Sequence, residues 1–534
     1  MQLDLAALPS DPTLLQQVVR ELAAALTTKN AEIDKLHALI KQLQRSQFGR
    51  RSEQLDADQL QLGLEDLEQA VAAVAAAQAA AGLAGDASPA RPPTRRNRGA
   101  LPAHLPRIEV VVDVEDKSCP CCGGALHVIG EDRSEMLDVV PAQYRVKVIR
   151  RPRYGCRACE GAVVQAAAPE RPIDGGMATE ALIAQVLVAK YSEHLPLYRQ
   201  AQVFVRHGIE LDRSTLSLWV GRACWWLEPL YERLLARILS STKIFADDTP
   251  LPVLDPGRGR TKTGRLWAYA VDDRPWQGSA PPAVAYVYAE DRKGERPATH
   301  LAGFTGILQV DGYSGFKRLA GDGPSGPVRL AFCWSHCRRY FYDCHQATAS
   351  PIAFEALQQI GRLYAVEAQI RGRPAEARLA ARHEHSRPIV EALRIWLPAQ
   401  LERISGKSSL AEAIRYALRH MDGLGLFLDD GRVELDTNTV ERSIRPIALG
   451  KKNSLFAGSD GGARHWAIAA SLINTAKLHA VEPFAYLNDV LERVVTGRTK
   501  AHQLDDLLPW QWKATSTVNR SEERRVGKEC LRLC

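Results

Sequence analysis

Apolar residues recur at helical spacing over residues 12–46. The stripe consists of Leu14, Val18, Leu22, Leu26, Ile33, Leu36, Ile40 and Leu43. This period predicts one long helix, within an N-terminal region that we place at residues 1–68. Because the heptads are imperfect, two arrangements stay open: a coiled coil with a second copy, and a helix packed on its own chain.

Residues 69–107 become rich first in alanine and then in proline, arginine and glycine. Such a composition cannot bury a core, so we predict a linker. Its arginines either stay solvated or touch DNA phosphates. Runs of β-branched residues at 108–114 and 144–149 then predict a short β-rich module over residues 108–172.

Residues 173–240 have the pattern of a helix-turn-helix. Helices are predicted over 178–189 and 197–206, followed by a turn at His207-Gly208-Ile209 and a helix over 214–223 with Ser214 as its N-cap. Two helices joined by a short turn that contains glycine can place the second helix in the major groove of DNA. An ordinary helical hairpin has the same pattern, and the sequence does not separate the two.

From residue 243 the hydrophobic period becomes that of strands. Five strands are predicted, at 243–246, 265–271, 283–288, 307–310 and 328–333. Helical patterns dominate from residue 338, with a helical insertion over about 350–431. This order predicts a multidomain α/β protein with an α/β core at 241–480. A helical element at 481–515 and a disordered or extraneous tail at 516–534 follow.

Composition narrows the class of protein. The chain has 534 residues, of which 46% are hydrophobic and 25% charged, so several folded domains are expected and a disordered or fibrous chain is excluded. The net charge of +7 suits a polyanionic partner without requiring one. Since the chain shows neither an apolar run of about 18 residues nor an apolar N-terminal stretch, we expect a soluble cytoplasmic protein that does not engage a membrane.

Cysteines are concentrated in pairs of the form C-x-x-C. Cys119 and Cys122 form one pair, and Cys156 and Cys159 form another. Four thiolates complete a tetrahedral zinc site and leave no coordination position for catalysis, so we predict structural zinc. Free thiols or a redox pair are the alternatives.

Acidic residues stand at the ends of two predicted strands. Asp247 and Asp248 follow the first strand of the core, and Asp311 follows the fourth. Carboxylates on a rigid sheet edge suit hard cations such as Mg²⁺ or Mn²⁺. Aspartate is also a common turn former, so each motif taken alone admits a purely structural role.

A third acidic candidate is Glu441. Asn438, Glu441 and Arg445 lie at helical spacing, with Arg442 beside them, so one helix face would carry an amide, a carboxylate and a guanidinium. The same spacing fits a capping box, in which Asn438 and Glu441 would bond to backbone N–H groups instead. The residues alone leave both interpretations open.

Basic and polar residues near these motifs, and at the start of the second helix of the helix-turn-helix, are candidates for contacts to DNA. We single out Arg213, Ser214, Thr215, Arg260, Lys262, Arg338, Arg339, Lys451 and Lys452. Positive groups beside an acidic site would hold a phosphodiester. Each of them alone also fits ordinary solvated surface charge.

The segment Cys333-Trp-Ser-His336 offers sulfur and imidazole ligands. We favour a packed cluster at a buried strand end over a second metal site. Trp267, Trp334 and Trp466 are likewise expected in the core and not as platforms for stacked bases.

Taken together, the motifs from about residue 12 to residue 512 resemble the transposases of the bacterial insertion-sequence 66 family. The matching segments are Gln-Phe-Gly-Arg-Arg-Ser-Glu, Cys-Pro-Cys-Cys with Cys-Arg-Ala-Cys, Ala-Asp-Asp-Thr-Pro-Leu-Pro-Val-Leu, Leu-Gln-Val-Asp-Gly-Tyr, Cys-Trp-Ser-His-Cys-Arg-Arg and Asn-Thr-Val-Glu-Arg-Ser-Ile-Arg-Pro. Members of this family often have glutamate after the first aspartate, where this chain has Asp248.

The resemblance implies a ribonuclease-H-like core of the DDE type, whose carboxylates bind two divalent metal ions. Carried over to this sequence, the triad is Asp247, Asp311 and Glu441. The implied activity is cleavage and joining of DNA at transposon ends, by a homo-oligomer that accessory proteins of the same element can assist. The alternatives are an inactive DNA-binding repressor or scaffold, and a nuclease that cuts DNA without joining it.

Overall fold

The computed structural model describes residues 143–155, 163–255, 257–320 and 327–512. The described residues belong to two compact units, one with residues 143–155 and 163–168 and the other with residues 169–255, 257–320 and 327–512. The predicted N-terminal helix, the predicted linker and all four candidate zinc cysteines lie outside the described residues.

The described part of the smaller unit contains one short antiparallel pair. Strand β1 (Arg153–Gly155) pairs with β2 (Val163–Gln165), and the Arg151 guanidinium donates to the Ala166 carbonyl at 2.5–2.9 Å. The β-branched run at 144–149 is not in a strand, which corrects the prediction there. Its Val146 and Val148 are exposed, because within the described residues no strand pairs with this run.

The larger unit is organised around a mixed five-stranded sheet. The strands are β3 (Lys243–Asp255), β4 (Arg260–Val271), β5 (Ala283–Ala289), β6 (Gly306–Val310) and β7 (Val328–Phe332). Their order is β5-β4-β3-β6-β7, with antiparallel pairing among the first three and parallel pairing from β3 through β6 to β7. All five predicted strands are present, and β3 and β4 extend beyond their predicted ends as one long hairpin.

Between residues 169 and 242, a part of the chain that is fully described, three helices precede the sheet: α1 (Glu180–Tyr191), α2 (Leu197–Arg206) and α3 (Arg213–Leu239). Helix α3 is longer than predicted, because buried leucines continue its apolar stripe to Ile238. Its N-cap is Asp212, so Ser214 lies inside the helix and its predicted capping role was wrong.

Helices also fill the chain after the third strand of the sheet. They are α4 (Glu295–His300), α5 (Trp334–Thr348), α6 (Pro351–Ile370), α7 (Ala375–Ala381), α8 (Arg387–Leu401), α9 (Ser409–Gly425), α10 (Asn438–Ser454), α11 (Asp460–Leu478) and α12 (Pro483–Val495). Helices α6–α9 occupy the predicted insertion. No helix among the described residues is long and apolar enough to cross a bilayer.

Helix α11 covers the free side of the edge strand β5. The Ser471 hydroxyl accepts a hydrogen bond from the Tyr286 N–H at 2.8 Å, and the Thr475 hydroxyl bonds to both the N–H and the carbonyl of Val284 at 3.1 and 2.8 Å. Both hydroxyls are completely buried. Side chains of a helix therefore replace the missing neighbouring strand, which keeps the edge from pairing with another chain.

Thr475→Val should lower the free energy of unfolding by about 1–3 kcal/mol, because it leaves backbone groups of Val284 buried without partners. Urea denaturation followed by far-ultraviolet circular dichroism measures the change. Thr475→Ser retains the hydroxyl and serves as the control. Equal stability of the valine variant and the wild type would contradict this account of the sheet edge.

Candidate metal centre

The register of the parallel strands brings two aspartates together. Lys243 of β3 pairs with Ile307 of β6, and Phe245 pairs with Gln309. The same offset, continued two residues further along both chains, sets Asp247 beside Asp311. Since adjacent strands lie about 4.8 Å apart, the two residues are neighbours at the end of β6, and the Asp311 charge raises the pKa of Asp247.

Asp311 is held by the turn that follows β6. Its carboxylate accepts from the Tyr313 N–H at 2.8 Å, and its carbonyl accepts from the Tyr416 hydroxyl at 3.0 Å. Gly312 has a φ of +102°, and a Cβ there would stand 2.8 Å from the Tyr416 oxygen. Only glycine fits this turn without displacing the contact to α9.

Glu441 approaches the same place from the first turn of α10, a helix that packs across β3 and β4. The carboxylate is buried and accepts from the Thr437 hydroxyl at 2.8 Å. The N-cap of α10 is Thr437, and Asn438 is the first helical residue. This differs from the capping box considered above, which needs Asn438 at the N-cap and the Glu441 carboxylate on the backbone N–H of that residue.

A buried glutamine ties the third carboxylate to the strand of the second. Gln309 of β6 is fully buried, and its amide nitrogen donates to the carbonyls of Glu434 and Asp436 at 2.7 and 2.8 Å. Its amide oxygen accepts from the Glu434 N–H at 3.2 Å. One side chain thus fixes the segment that leads into α10 against the strand that ends at Asp311.

Two buried arginines fix the other side of that segment. Arg382 donates to both carboxylate oxygens of Glu367 at 2.7–2.8 Å and to the Val433 carbonyl at 2.8 Å. Arg378 pairs with Glu434 at 2.8 Å. Ion pairs and hydrogen bonds therefore join the helical insertion to the residues immediately before α10. These contacts help to determine where Glu441 lies.

The electrostatics of the cluster fit a cation site. Burial raises the pKa of Asp247 well above its usual range, and the neighbouring charges of Asp311, Asp248 and Glu441 raise it further. Burial and the Glu441 charge also raise the pKa of Asp436 to about 7. Carboxylates that raise one another's pKa repel, and a bound dication would remove that repulsion.

Asp248 has different partners from Asp247. Its carboxylate pairs with Arg265 at 3.0 Å and with Arg292 at 2.9 Å, and only 1% of the side chain is exposed. Burial raises the pKa of Asp248, while both arginines oppose that rise. Of the two neighbouring aspartates, Asp247 is the one whose pKa responds to both Asp311 and Glu441.

Three side chains of this region were not singled out from the sequence: Arg292, Gln309 and Asp436. The C-x-x-H spacing of Cys333 and His336 did raise a second metal site, but a packed cluster was favoured over it. One sulfur, one ring nitrogen and one carboxylate oxygen, from Cys333, His336 and Glu441, lie within 4.8 Å of one another. Burial lowers the pKa of His336, yet Cys333, Glu441 and Asp311 together raise it to about 10.

The candidate DNA contacts differ in accessibility. Arg213, Ser214, Arg260 and Lys452 are exposed, and Thr215, Arg338 and Arg339 are half-buried. Lys262 pairs with Asp460 at 2.8 Å.

Lys451 is buried, and its ammonium donates to the Thr249 hydroxyl at 3.2 Å and the Pro250 carbonyl at 2.8 Å. It anchors α10 to β3, so its charge is not presented to a phosphate.

Arg442, Arg445 and Asn438 remain beside the site on α10, where Arg442 is exposed and the other two are half-buried. Trp267, Trp334 and Trp466 are at most 5% exposed, which confirms the prediction that they belong to the core.

Asp247→Asn should raise the melting temperature in buffer without added Mg²⁺ or Mn²⁺, because it removes a buried charge that its neighbours repel. Because the pKa of Asp247 is higher in the folded than in the unfolded protein, its carboxyl lowers the free energy of unfolding only at pH values above the ordinary pKa of 3.8. The increase in melting temperature of Asp247→Asn should therefore vanish near pH 3.8 and grow as the pH rises. Differential scanning fluorimetry across pH measures it.

Asp422→Asn is the matched control for that measurement, since the Asp422 side chain is 97% exposed and its ion pair with Arg394 lies at the surface. A melting temperature of Asp247→Asn that stays at or below the wild-type value at pH 7.5 would refute the electrostatic account of the cluster.

Four family models match successive parts of the chain. The one described as "Transposase IS66 family" matches residues 175–465, which include Asp247, Asp311 and Glu441. "Transposase C of IS166 homeodomain" matches 35–110, "zinc-finger binding domain of transposase IS66" matches 116–160, and "IS66 C-terminal element" matches 471–510.

Proteins of Sinorhizobium fredii are similar over almost the whole chain. The uncharacterized protein y4jD is 49% identical over 506 residues, which cover 94% of this chain and 97% of that protein. The uncharacterized protein y4qI is 43% identical over 503 residues, covering 93% and 92%, and y4hP is 38% identical over 499 residues, covering 90% and 89%.

Proposed function

This chain belongs to the IS66 family of transposases, and we propose that it binds the ends of an insertion sequence and carries out metal-dependent DNA cleavage and strand transfer. The observation that supports the proposal is that the charges of Asp311 and Glu441, which lie on two elements distant in sequence from Asp247, both raise the pKa of Asp247. A repressor or scaffold has no need of such a cluster.

We infer that the sheet of the larger unit is a ribonuclease-H-like core. Its three antiparallel strands, continued on one side by two parallel strands, support this assignment. The same proposal places the core at 241–480 with α6–α9 as its insertion, the helix-turn-helix at 173–240 and a C-terminal helical element at 481–515.

The donor set suits Mg²⁺ or Mn²⁺, because it consists of carboxylate oxygens from two strand ends and a helix. Asp247, Asp311 and Glu441 would hold two such ions. When bound, two divalent ions can activate a water or a DNA 3′-hydroxyl and stabilise the leaving 3′-oxygen. The charges of Asp311, Asp248 and Glu441 all act on Asp247, and Asp248 next to it in sequence pairs with the Arg265 and Arg292 guanidinium groups.

Arg292 is well placed to meet the DNA backbone. Its side chain is 41% exposed and one edge pairs with Asp248, while the group stacks over the Tyr313 ring at 4.3 Å. A guanidinium fixed in this way can neutralise a phosphate beside the cluster. No protein hydroxyl needs to attack the DNA, so the reaction requires no covalent protein–DNA intermediate.

The remaining assignments concern the other parts of the chain. Structural zinc is supported by the zinc-finger match, and we propose Cys119, Cys122, Cys156 and Cys159 as its ligands. Helix α3 would enter the major groove with Arg213, Ser214 and Thr215. Exposed Arg260 and Lys452 would contact phosphates, and the N-terminal helix would join two copies. We also propose that accessory proteins encoded on the same element can assist the reaction.

Asp311→Asn should reduce DNA strand cleavage by at least about a thousandfold, because an amide neither carries the charge nor binds a hard dication as a carboxylate does. DNA binding should stay within about twofold of the wild type. The measurement is cleavage of labelled transposon-end DNA in Mg²⁺, with binding followed by fluorescence anisotropy.

Asp422→Asn again provides the control for loss of an aspartate far from the cluster. Cleavage by Asp311→Asn at the wild-type rate would refute the catalytic assignment, and cut DNA without joined product from the wild type would favour a simple nuclease.

Arg213→Ala should weaken binding to DNA of every sequence, since the loss of a phosphate contact acts without regard to base sequence. The slope of the logarithm of affinity against the logarithm of salt concentration should fall by about one. Arg371→Ala, a change of an exposed arginine at the end of α6, is the control. Unchanged affinity and slope for Arg213→Ala would remove α3 from the DNA interface.

A further inference from the structure

A second set of metal ligands adjoins the carboxylate cluster. Cys333 is the N-cap of α5, His336 lies in the first turn of that helix, and Glu441 lies in the first turn of α10. Their sulfur, ring nitrogen and carboxylate oxygen are all within 4.8 Å of one another. Ligands on one tetrahedral zinc ion stand about 3.3–3.8 Å apart, so small side-chain rotations would close the set.

The chemistry of these three donors differs from that of the aspartates. Thiolate and imidazole are poor ligands for Mg²⁺ and good ligands for Zn²⁺. One thiolate and one carboxylate would balance the charge of one Zn²⁺ ion, which suits a buried site. Three protein ligands would leave one coordination position for a water molecule.

The imidazole has a nitrogen ready for a ligand. Within the part of the chain that the structure describes, the buried Nδ1 atom of His336 has no hydrogen-bond partner. A buried polar atom without a partner is costly, and metal coordination is one way to satisfy it.

Packing alone does not explain the cluster. Cys337 and Cys344 of the same helix are also buried, and they belong to the hydrophobic core. Cys333 is the cysteine whose sulfur lies near both an imidazole and a carboxylate. The interpretation of Cys333 and His336 as core residues only is therefore incomplete.

We propose that Cys333, His336 and Glu441 form a Zn²⁺ site, and that zinc bound there withdraws Glu441 from the magnesium centre and inhibits DNA cleavage. The inhibition rests on the proposed function, whereas the binding does not. One oxygen of Glu441 accepts a hydrogen bond from Thr437. Coordination of the carboxylate by zinc would leave it little capacity to hold a catalytic ion as well.

The binding experiment titrates Co²⁺ into the full-length reduced protein and follows the thiolate-to-cobalt charge-transfer absorption. Wild type should bind one equivalent more than Cys333→Ser, while the zinc-finger module contributes equally to both. Serine is a favourable N-cap residue, so this variant should keep α5 intact. His336→Asn should lose the same equivalent, and Cys337→Ala, a buried cysteine one turn further along, should retain it.

The activity experiment adds Zn²⁺ to cleavage reactions at constant Mg²⁺, and compares each variant with its own rate without zinc. The concentration of zinc for half-inhibition should rise by about tenfold or more in Cys333→Ser and stay at the wild-type value in Cys337→Ala.

Equal cobalt stoichiometry in wild type and Cys333→Ser would overturn the site, and equal zinc sensitivity would overturn its inhibitory role. If no protein cleaves DNA in Mg²⁺, the proposed function fails, and the cobalt titration still decides whether the metal site exists.

Discussion

The parallel pairing of β3 with β6 is the constraint on which the candidate site depends. Its offset sets Asp247 beside Asp311, and a shift by one residue would turn one of the two side chains to the opposite face of the sheet. The register is itself fixed by burial, since Ile244, Phe245, Leu308 and Val310 of these strands are all buried. Hydrophobic packing thus determines the distance between two charges that repel each other.

Glu441 is 130 residues beyond Asp311 in the sequence, so other contacts must position its carboxylate. Gln309 connects β6 to the segment before α10, and Arg378 and Arg382 connect that segment to the helical insertion. Lys451 fastens the far end of α10 to β3. The insertion is therefore part of the construction of the site, even though it contributes none of the three carboxylates.

Sequence patterns predicted the five strands, the helices on either side of the turn at residues 207–209 and the family, because these depend on local period and on motif order. They did not predict how far β3, β4 and α3 extend, since those lengths depend on contacts with other elements. Asp436 and His336 were not assigned to the region of the site for the same reason. Their local surroundings are typical of a turn and of a core helix, and only the tertiary fold places them beside Glu441.

The charged residues of the candidate site lower the stability of the fold and at the same time favour binding of a cation. Burial and mutual repulsion make the charged form of Asp247 unfavourable, so the folded chain without a cation carries a cost that other contacts must offset. Hydrogen bonds from the Ser471 and Thr475 hydroxyls at the sheet edge and ion pairs of the buried arginines of the insertion are such contacts.

The same repulsion favours any cation that the donors can bind. Selection among cations must then come from the donors themselves: carboxylates alone favour Mg²⁺, whereas Glu441 combined with Cys333 and His336 favours Zn²⁺. Because both proposed sets include Glu441, occupation of one set by its preferred ion would weaken the other.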